Sequence, residues 1–252
     1  MIILLHSSKT MRPPSSGTRP TGTPVLVDRA AELVERLRAL TPAQLSRVMA
    51  VSADLAAKTR DQYAAWTPEP GTPAAETFVG DIYSGLRVDA FGPAERRYAD
   101  DHIRILSGLY GILRPFDGIQ PYRLEMGYRL PGLNLYQFWG ASIAEQLPTE
   151  GPIVNLAAVE YSRTVTRHVA AERVVAPKFL TVDPKSGQPK FVVVHAKIAR
   201  GAFARWLVTE RARDLTAFAE IGYVYDEALS SEREPVFVCA EFGGKGLSVR
   251  LT

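Results

Sequence analysis

Apolar and polar positions recur with different periods along this chain, and each period predicts a different element. The opening run IILLH (2–6) is continuously apolar, as a strand covered on both faces must be. From Val25 the period lengthens: Leu26, Ala30, Leu33, Leu37 and Leu40 fall on one stripe and predict an amphipathic helix. TPAQLSRVMAV then offers Thr41 as N-cap with Pro42 at the first helical position, and Ser52 caps a third helix through SADLAAKTRDQYAAW. FVGDIYSGL (78–86) mixes β-formers with glycines and predicts a short strand entering a turn. GPAERRYADDHIRILSGLYG predicts a helix from about Ala94 to Leu106, and YQFWGASIAEQL predicts another. PIVNLA (152–157) reads as a buried strand. ERVVAPKFLTVD and KFVVVHA read as two strands joined by the turn PKSGQP, and AKIARGAFARWLVTERA as a basic amphipathic helix. PVFVCAEF and LSVRL are closing strands. No fixed-period repeat appears, and the only linker-like stretch is the early SSKTMRPPSSGTRPTGTP. The pattern predicts one compact α/β (mixed α+β) domain over residues 1–252, a mixed sheet surrounded by helices.

Composition narrows this picture slightly. The chain has 252 residues, 46% hydrophobic and 23% charged, enough to bury a sizeable core. Its net charge of +3 selects no partner, but it carries 23 Arg against 7 Lys. A GC-rich genome produces that bias without function, and bidentate contacts to phosphate or carboxylate also favour it. The single Cys239 excludes an internal disulfide and a CxxC pair, and reads as a buried strand residue in a reducing compartment. His6, His102, His168 and His195 lie far apart, so no metal site and no cofactor is expected. No apolar run approaches the roughly 20 residues of a membrane helix. The start lacks the basic segment of a signal peptide, so the expected location is cytoplasmic, with no membrane partner.

LSGLYGILRP (106–115) raises a specific question. Gly108 and Gly111 permit positive φ and close backbone approach. Amides in such a bend, next to a helix N-terminus, converge on a phosphate oxygen, and Arg104 and Arg114 flank it. The pattern is similar to the helix-hairpin-helix element that grips nucleic-acid backbone without reading bases. A plain structural corner uses the same residues, since glycine is common at helix ends.

Polar residues also stand where apolar ones would be cheaper. Ser8 and Lys9 follow the first strand, at the carboxyl end where α/β proteins place ligand groups. Asn155 interrupts an apolar strand and is followed by Glu160 and Tyr161. Tyr122, Arg123 and Glu125 crowd PYRLEMG, Gln137 and Trp139 open a helix, and Lys197, Arg200 and Arg205 lie on the long basic helix. If the three strand ends are neighbours, a basic cleft results. Two lysines at close quarters would depress one pKa and create a base or nucleophile, or would simply hold an anion. Each residue also has an ordinary role: Asn155 as a cap, Arg123 with Glu125 as a pair, Lys197 as a solvated charge.

In one order the chain contains SSKTM, GDIYSGL, LSGLYGILRPFDGIQPYRLEMGYRL, LYQFWG, NLAAVEYSRTV and AKIARGAFARWLV. That succession, from about residue 1 to about 225, resembles the YaaA peroxide-stress family of bacterial proteins. The resemblance implies a cytoplasmic protein that limits peroxide damage to DNA by keeping free intracellular iron low. It further implies a single α/β fold with a positively charged cleft, a helix-hairpin-helix motif and binding to duplex DNA. The chain departs from the family pattern at His6-Ser7-Ser8-Lys9-Thr10, where Ser-Pro-Ala-Lys-Thr is usual, and at Ala158, where serine is more frequent. Two expectations result. In the first, Gly108, Gly111, Arg104, Arg114, Lys197, Arg200 and Arg205 hold double-stranded DNA through its backbone. In the second, Lys9, Arg123, Glu160, Tyr161 and Lys197 act on a small anionic ligand as an enzyme.

Overall fold

The computed structural model describes residues 1–14 and 17–243. The expected closing strand LSVRL lies outside them. In chain order the principal elements begin with β1 (Ile2–His6), α1 (Val27–Arg38), α2 (Pro42–Met49) and α3 (Ala53–Ala65). Next come α4 (Asp81–Leu86), α5 (Pro93–His102), β2 (Ile103–Ser107), β3 (Gly111–Leu113) and α6 (Leu135–Trp139). They continue with β4 (Ile153–Asn155), α7 (Val159–Thr166), β5 (Val174–Val175), β6 (Lys178–Val182) and β7 (Pro189–Lys190). The series ends with α8 (Val193–Thr209), β8 (Tyr223–Ser231) and β9 (Glu234–Cys239).

Two sheets organise the molecule. The first has the order β5-β4-β1-β2-β3, with β1 central and parallel to both neighbours; its register runs Ile3 opposite Val154 and Ile103. All four apolar residues of β1 are buried, which is why its sequence shows no alternation. The second sheet, β7-β6-β9-β8, pairs β6 with β9 in parallel and closes both edges with antiparallel strands. Its inner face carries Phe179 and Phe237, which with Phe203 of α8 and Phe218 form one aromatic cluster.

Local signals in the first half act as expected. Thr41 and Gln44 form a reciprocal capping box, Pro42 sits in the first turn of α2, and the Ser52 hydroxyl accepts from the Leu55 amide. Further along, four assignments change. FVGDIYSGL is the two-residue strand Phe78–Val79 followed by helix α4 rather than a turn. The helix expected to reach Leu106 stops at His102, and Ile103–Ser107 becomes a strand beside β1, its isoleucines separated by Arg104 at strand period. YQFWGASIAEQL gives only the short α6 and one further turn, because Gly140 adopts φ +51. Of the run KFVVVHA only Lys190 is strand, as the end of Pro189–Lys190, and α8 already starts at Val193. That helix is buried nearly all round rather than amphipathic, with Ala196, Ala199, Ala202 and Ala204 inside.

The helix-to-helix corner expected at 106–115 is absent: β2 and β3 form an antiparallel hairpin, with Ser107 opposite Gly111. The bend faces inward. A Cβ on Gly108 would lie 2.3 Å from the Leu124 carbonyl oxygen, and Gly111, at φ +69, lies against the Trp139 ring. The Tyr110 amide donates to Ser107 Oγ (3.0 Å), the Ile112 amide to the Tyr110 carbonyl (2.8 Å), and Trp139 Nε1 to the Gly108 carbonyl (3.1 Å). The bend is therefore a packing device, since its Tyr110 and Ile112 amides already have partners inside the protein.

Candidate functional site

The carboxyl end of β1 builds the site. The Ser7 amide still donates to the Leu106 carbonyl (2.8 Å), so the strand pairing persists one residue beyond His6. Ser8 Oγ then donates to the Val79 carbonyl (2.6 Å), and Thr10–Met11 pairs with Phe78–Val79, which turns the chain over Gly80 into α4. The Tyr83 hydroxyl of α4 reaches back to the His6 carbonyl at 2.9 Å. Between these segments lies an open cavity of about 390 Å³ whose polar lining includes Ser7, Ser8, Lys9, Asp81, Glu125 and Lys197.

Lys9, largely exposed, stands 3.7 Å from the carboxylate of Glu125, which is mostly buried. Burial raises the pKa of Glu125, and the neighbouring Lys9 opposes that rise. Arg123 Nη1 donates to the Lys9 carbonyl (3.3 Å), while its Nε is buried without a hydrogen-bond partner. The Tyr161 hydroxyl is also buried beside Ser7 and Glu125 and makes no hydrogen bond of ordinary geometry; burial pushes its pKa far up, so it stays a neutral phenol.

His6 closes the floor of this cavity. Its ring stacks on Tyr161 at 5.1 Å, and its Nδ1 accepts from the Ala158 amide at 3.1 Å. A ring that accepts at Nδ1 is neutral with its proton on Nε2. Burial, and then the positive charges of Arg200 and Lys197, bring its pKa down to about 3. Neither His6 nor Tyr83 stands out in the sequence, where His6 reads only as the last residue of an apolar strand. The legible signal was its departure from the family's usual serine.

The expected cleft residues separate into groups. Lys9, Ser8, Glu125 and Lys197 line the one cavity, with Arg123, Tyr161 and Arg200 adjoining it. Asn155 is structural: its Oδ1 accepts from the Ala157 amide (3.1 Å) to shape the turn after β4. Glu160 is also engaged locally, accepting from the Gly127 amide (2.7 Å) while its carbonyl accepts from the Tyr136 hydroxyl (2.9 Å). Tyr122 is buried and shares a 2.7 Å hydrogen bond with Ser107. Arg104 and Arg114 line a different cavity with Asp100, and Arg205 pairs with Glu220. Of the residues expected to hold DNA phosphates, Arg104 and Arg114 therefore line a different cavity from Lys197. Among the described residues no group of three or more His, Cys, Asp or Glu is placed to hold a metal ion, and no helix is long and apolar enough to cross a membrane.

A polar cavity at the carboxyl end of a central parallel strand, fed by loops from several elements, is the ligand-site arrangement of α/β proteins. The sequence model described as peroxide stress protein YaaA matches residues 1–229, and the chain belongs to that family. It is also similar to a UPF0246 protein of Salinispora tropica, at 58% identity over 258 residues, covering 99% of this chain and 98% of the relative.

Proposed function

We propose that this peroxide-stress protein works by binding a small anionic ligand in the cavity at the end of β1. The observation that carries this reading is the meeting of Lys9, Lys197 and Glu125 in one cavity. The two ammonium groups attract an anionic group. Glu125, with its raised pKa, becomes a hydrogen-bond donor when protonated, and the neutral Nε2–H of His6 adds a donor that does not titrate near neutrality. If a bond is made or broken here, Glu125 is the group suited to carry the proton. Calorimetric titration with inorganic phosphate and pyrophosphate tests the reading. Lys9→Ala and Lys197→Ala are each expected to weaken binding about tenfold. Affinity should rise as pH falls through the raised pKa of Glu125, because protonation removes a negative charge from the cavity; Glu125→Gln should flatten that dependence. Equal binding by wild type and both lysine variants would overturn it.

A second reading, duplex DNA binding, rests on α2 and α3. These two helices are joined by a three-residue turn in which Ala50 adopts φ 50, the left-handed conformation that side chains seldom take. Arg47, Lys58 and Arg60 are exposed on the pair, with Asp54 and Asp61 among them. In this reading the helix-hairpin-helix element that the resemblance implies is replaced as the duplex contact by this helix pair, and protection from iron-dependent damage is exercised at the duplex. Binding to a short duplex at several salt concentrations decides it. Lys58→Ala with Arg60→Ala should reduce the salt slope by about 0.9 per lost phosphate contact, whereas Arg114→Ala should leave it unchanged. A slope indifferent to Lys58 and Arg60 removes this reading.

A further inference from the structure

The cavity that holds Arg104 and Arg114 shares no lining residue with the site at the end of β1. It encloses about 380 Å³ between the loop 21–25, the end of α5 and strands β2 and β3. Two guanidinium groups and two carboxylates face it. Arg104 directs Nη1 to the carbonyls of Asp100 (2.8 Å) and Ile103 (2.7 Å), and burial lowers its pKa. Arg114 is more than half exposed and meets Asp100 Oδ2 only at 3.7 Å. The other oxygen, Asp100 Oδ1, is buried with no hydrogen-bond partner in the protein. Asp117 is 4% exposed; its Oδ2 accepts from the Arg114 amide (2.8 Å), and burial followed by the nearby charge of Asp100 raises its pKa.

We propose that this cavity is a second ligand site, for a small zwitterion such as a free α-amino acid. The charge arrangement selects the class. A simple anion would meet Arg104 and Arg114 but also face Asp100 and Asp117, and a simple cation would meet the reverse. A molecule carrying both charges a few atoms apart satisfies both ends: its carboxylate is received by the exposed Arg114 guanidinium, and its ammonium by the Asp100 carboxylate on the same lining. Ile112, Leu113 and Val25 provide an apolar wall for an aliphatic side chain. The volume falls in the range of small-molecule sites. The proposal does not depend on the cavity beside Lys9.

The test is calorimetric titration of the full chain with the protein amino acids, taken to about 10 mM, with inorganic phosphate and ethylammonium as single-charge probes. At least one amino acid is expected to bind, and an aliphatic one more tightly than glycine. Arg114→Ala and Asp100→Asn should each weaken it about tenfold or more, while Lys9→Ala leaves it unchanged. Arg114 is exposed, so its variant keeps the fold; the thermal midpoint of Asp100→Asn verifies the same for that variant. No amino acid binding to the wild type, or binding indifferent to both variants, would overturn the proposal. Loss of phosphate binding at Lys9 leaves this result untouched, so the two sites fail separately.

Discussion

Gly201→Ala is expected to cost this protein about 3 kcal/mol or more, and Gly201→Val to prevent folding. Helices α4 and α8 cross with glycine against backbone on both sides. A Cβ at Gly201 would stand 1.9 Å from the Ile82 carbonyl oxygen and 2.7 Å from the Leu86 amide nitrogen, and one at Gly85 would stand 2.1 Å from the Ile198 carbonyl oxygen. Neither obstacle is a flexible side chain that can swing away. The helices would have to separate, opening the contacts that Ile82, Leu86 and Ile198 bury. The crossing also sets the cavity, because α4 brings Tyr83 to the His6 carbonyl and α8 brings Lys197 to its rim. Urea denaturation of Gly201→Ala, Gly85→Ala and a control decides the matter. The control is Gly243→Ala, where an added Cβ would come no nearer than 3.6 Å to its neighbours. A wild-type midpoint for Gly201→Ala would mean that the helices do not approach so closely.

Acid should destabilise the protein through His6 in a way that His6→Asn relieves. The folded pKa of about 3 lies below the ordinary 6.5, so the unfolded chain takes up a proton that the folded chain refuses. Stability from this residue is complete above the unfolded pKa and is lost progressively as pH falls from about 6.5 toward about 3. One proton per molecule gives a loss of about 2 kcal/mol near pH 5 relative to neutrality. Glu125 and Asp117 have the opposite sign, since their raised pKa values favour protonation in the folded state. The informative quantity is therefore the difference between wild type and His6→Asn, a variant that keeps an acceptor for the Ala158 amide and cannot take up the proton. Denaturation midpoints of the two proteins should converge as pH falls. Parallel curves would show that His6 accepts a proton freely, against the desolvation and the positive charges of Arg200 and Lys197 that oppose it.

The parts of the molecule legible in the chain are those whose causes are local. Thr41, Pro42 and Ser52 mark helix starts because a side-chain oxygen or a missing amide acts within one turn, and α2 and α3 begin where those residues place them. IILLH reads as a buried strand because both faces are covered. Where the deciding partner is distant, the pattern misleads. Arg104 between Ile103 and Ile105 fits the end of a helix or a strand, and only pairing with β1 selects the strand. The valines before His195 favour β-structure, yet Val193 opens α8, whose later turns from Ala196 to Val208 carry the buried residues.

The same division holds for the sites. Lys9 and Lys197 could be named from their places after a strand end and on a helix start, Glu125 from the polar crowding of PYRLEMG, and family membership from the ordered motifs. Their meeting in one cavity, the neutral ring of His6 beneath them, and the inward turn of the Gly108–Gly111 bend depend on contacts among segments up to 152 positions apart. A single chain carries information about backbone preference over a few residues. Which charges face one another is decided by packing, since only the assembled core determines which strand ends become neighbours and which oxygen, such as Asp100 Oδ1, is left without a partner.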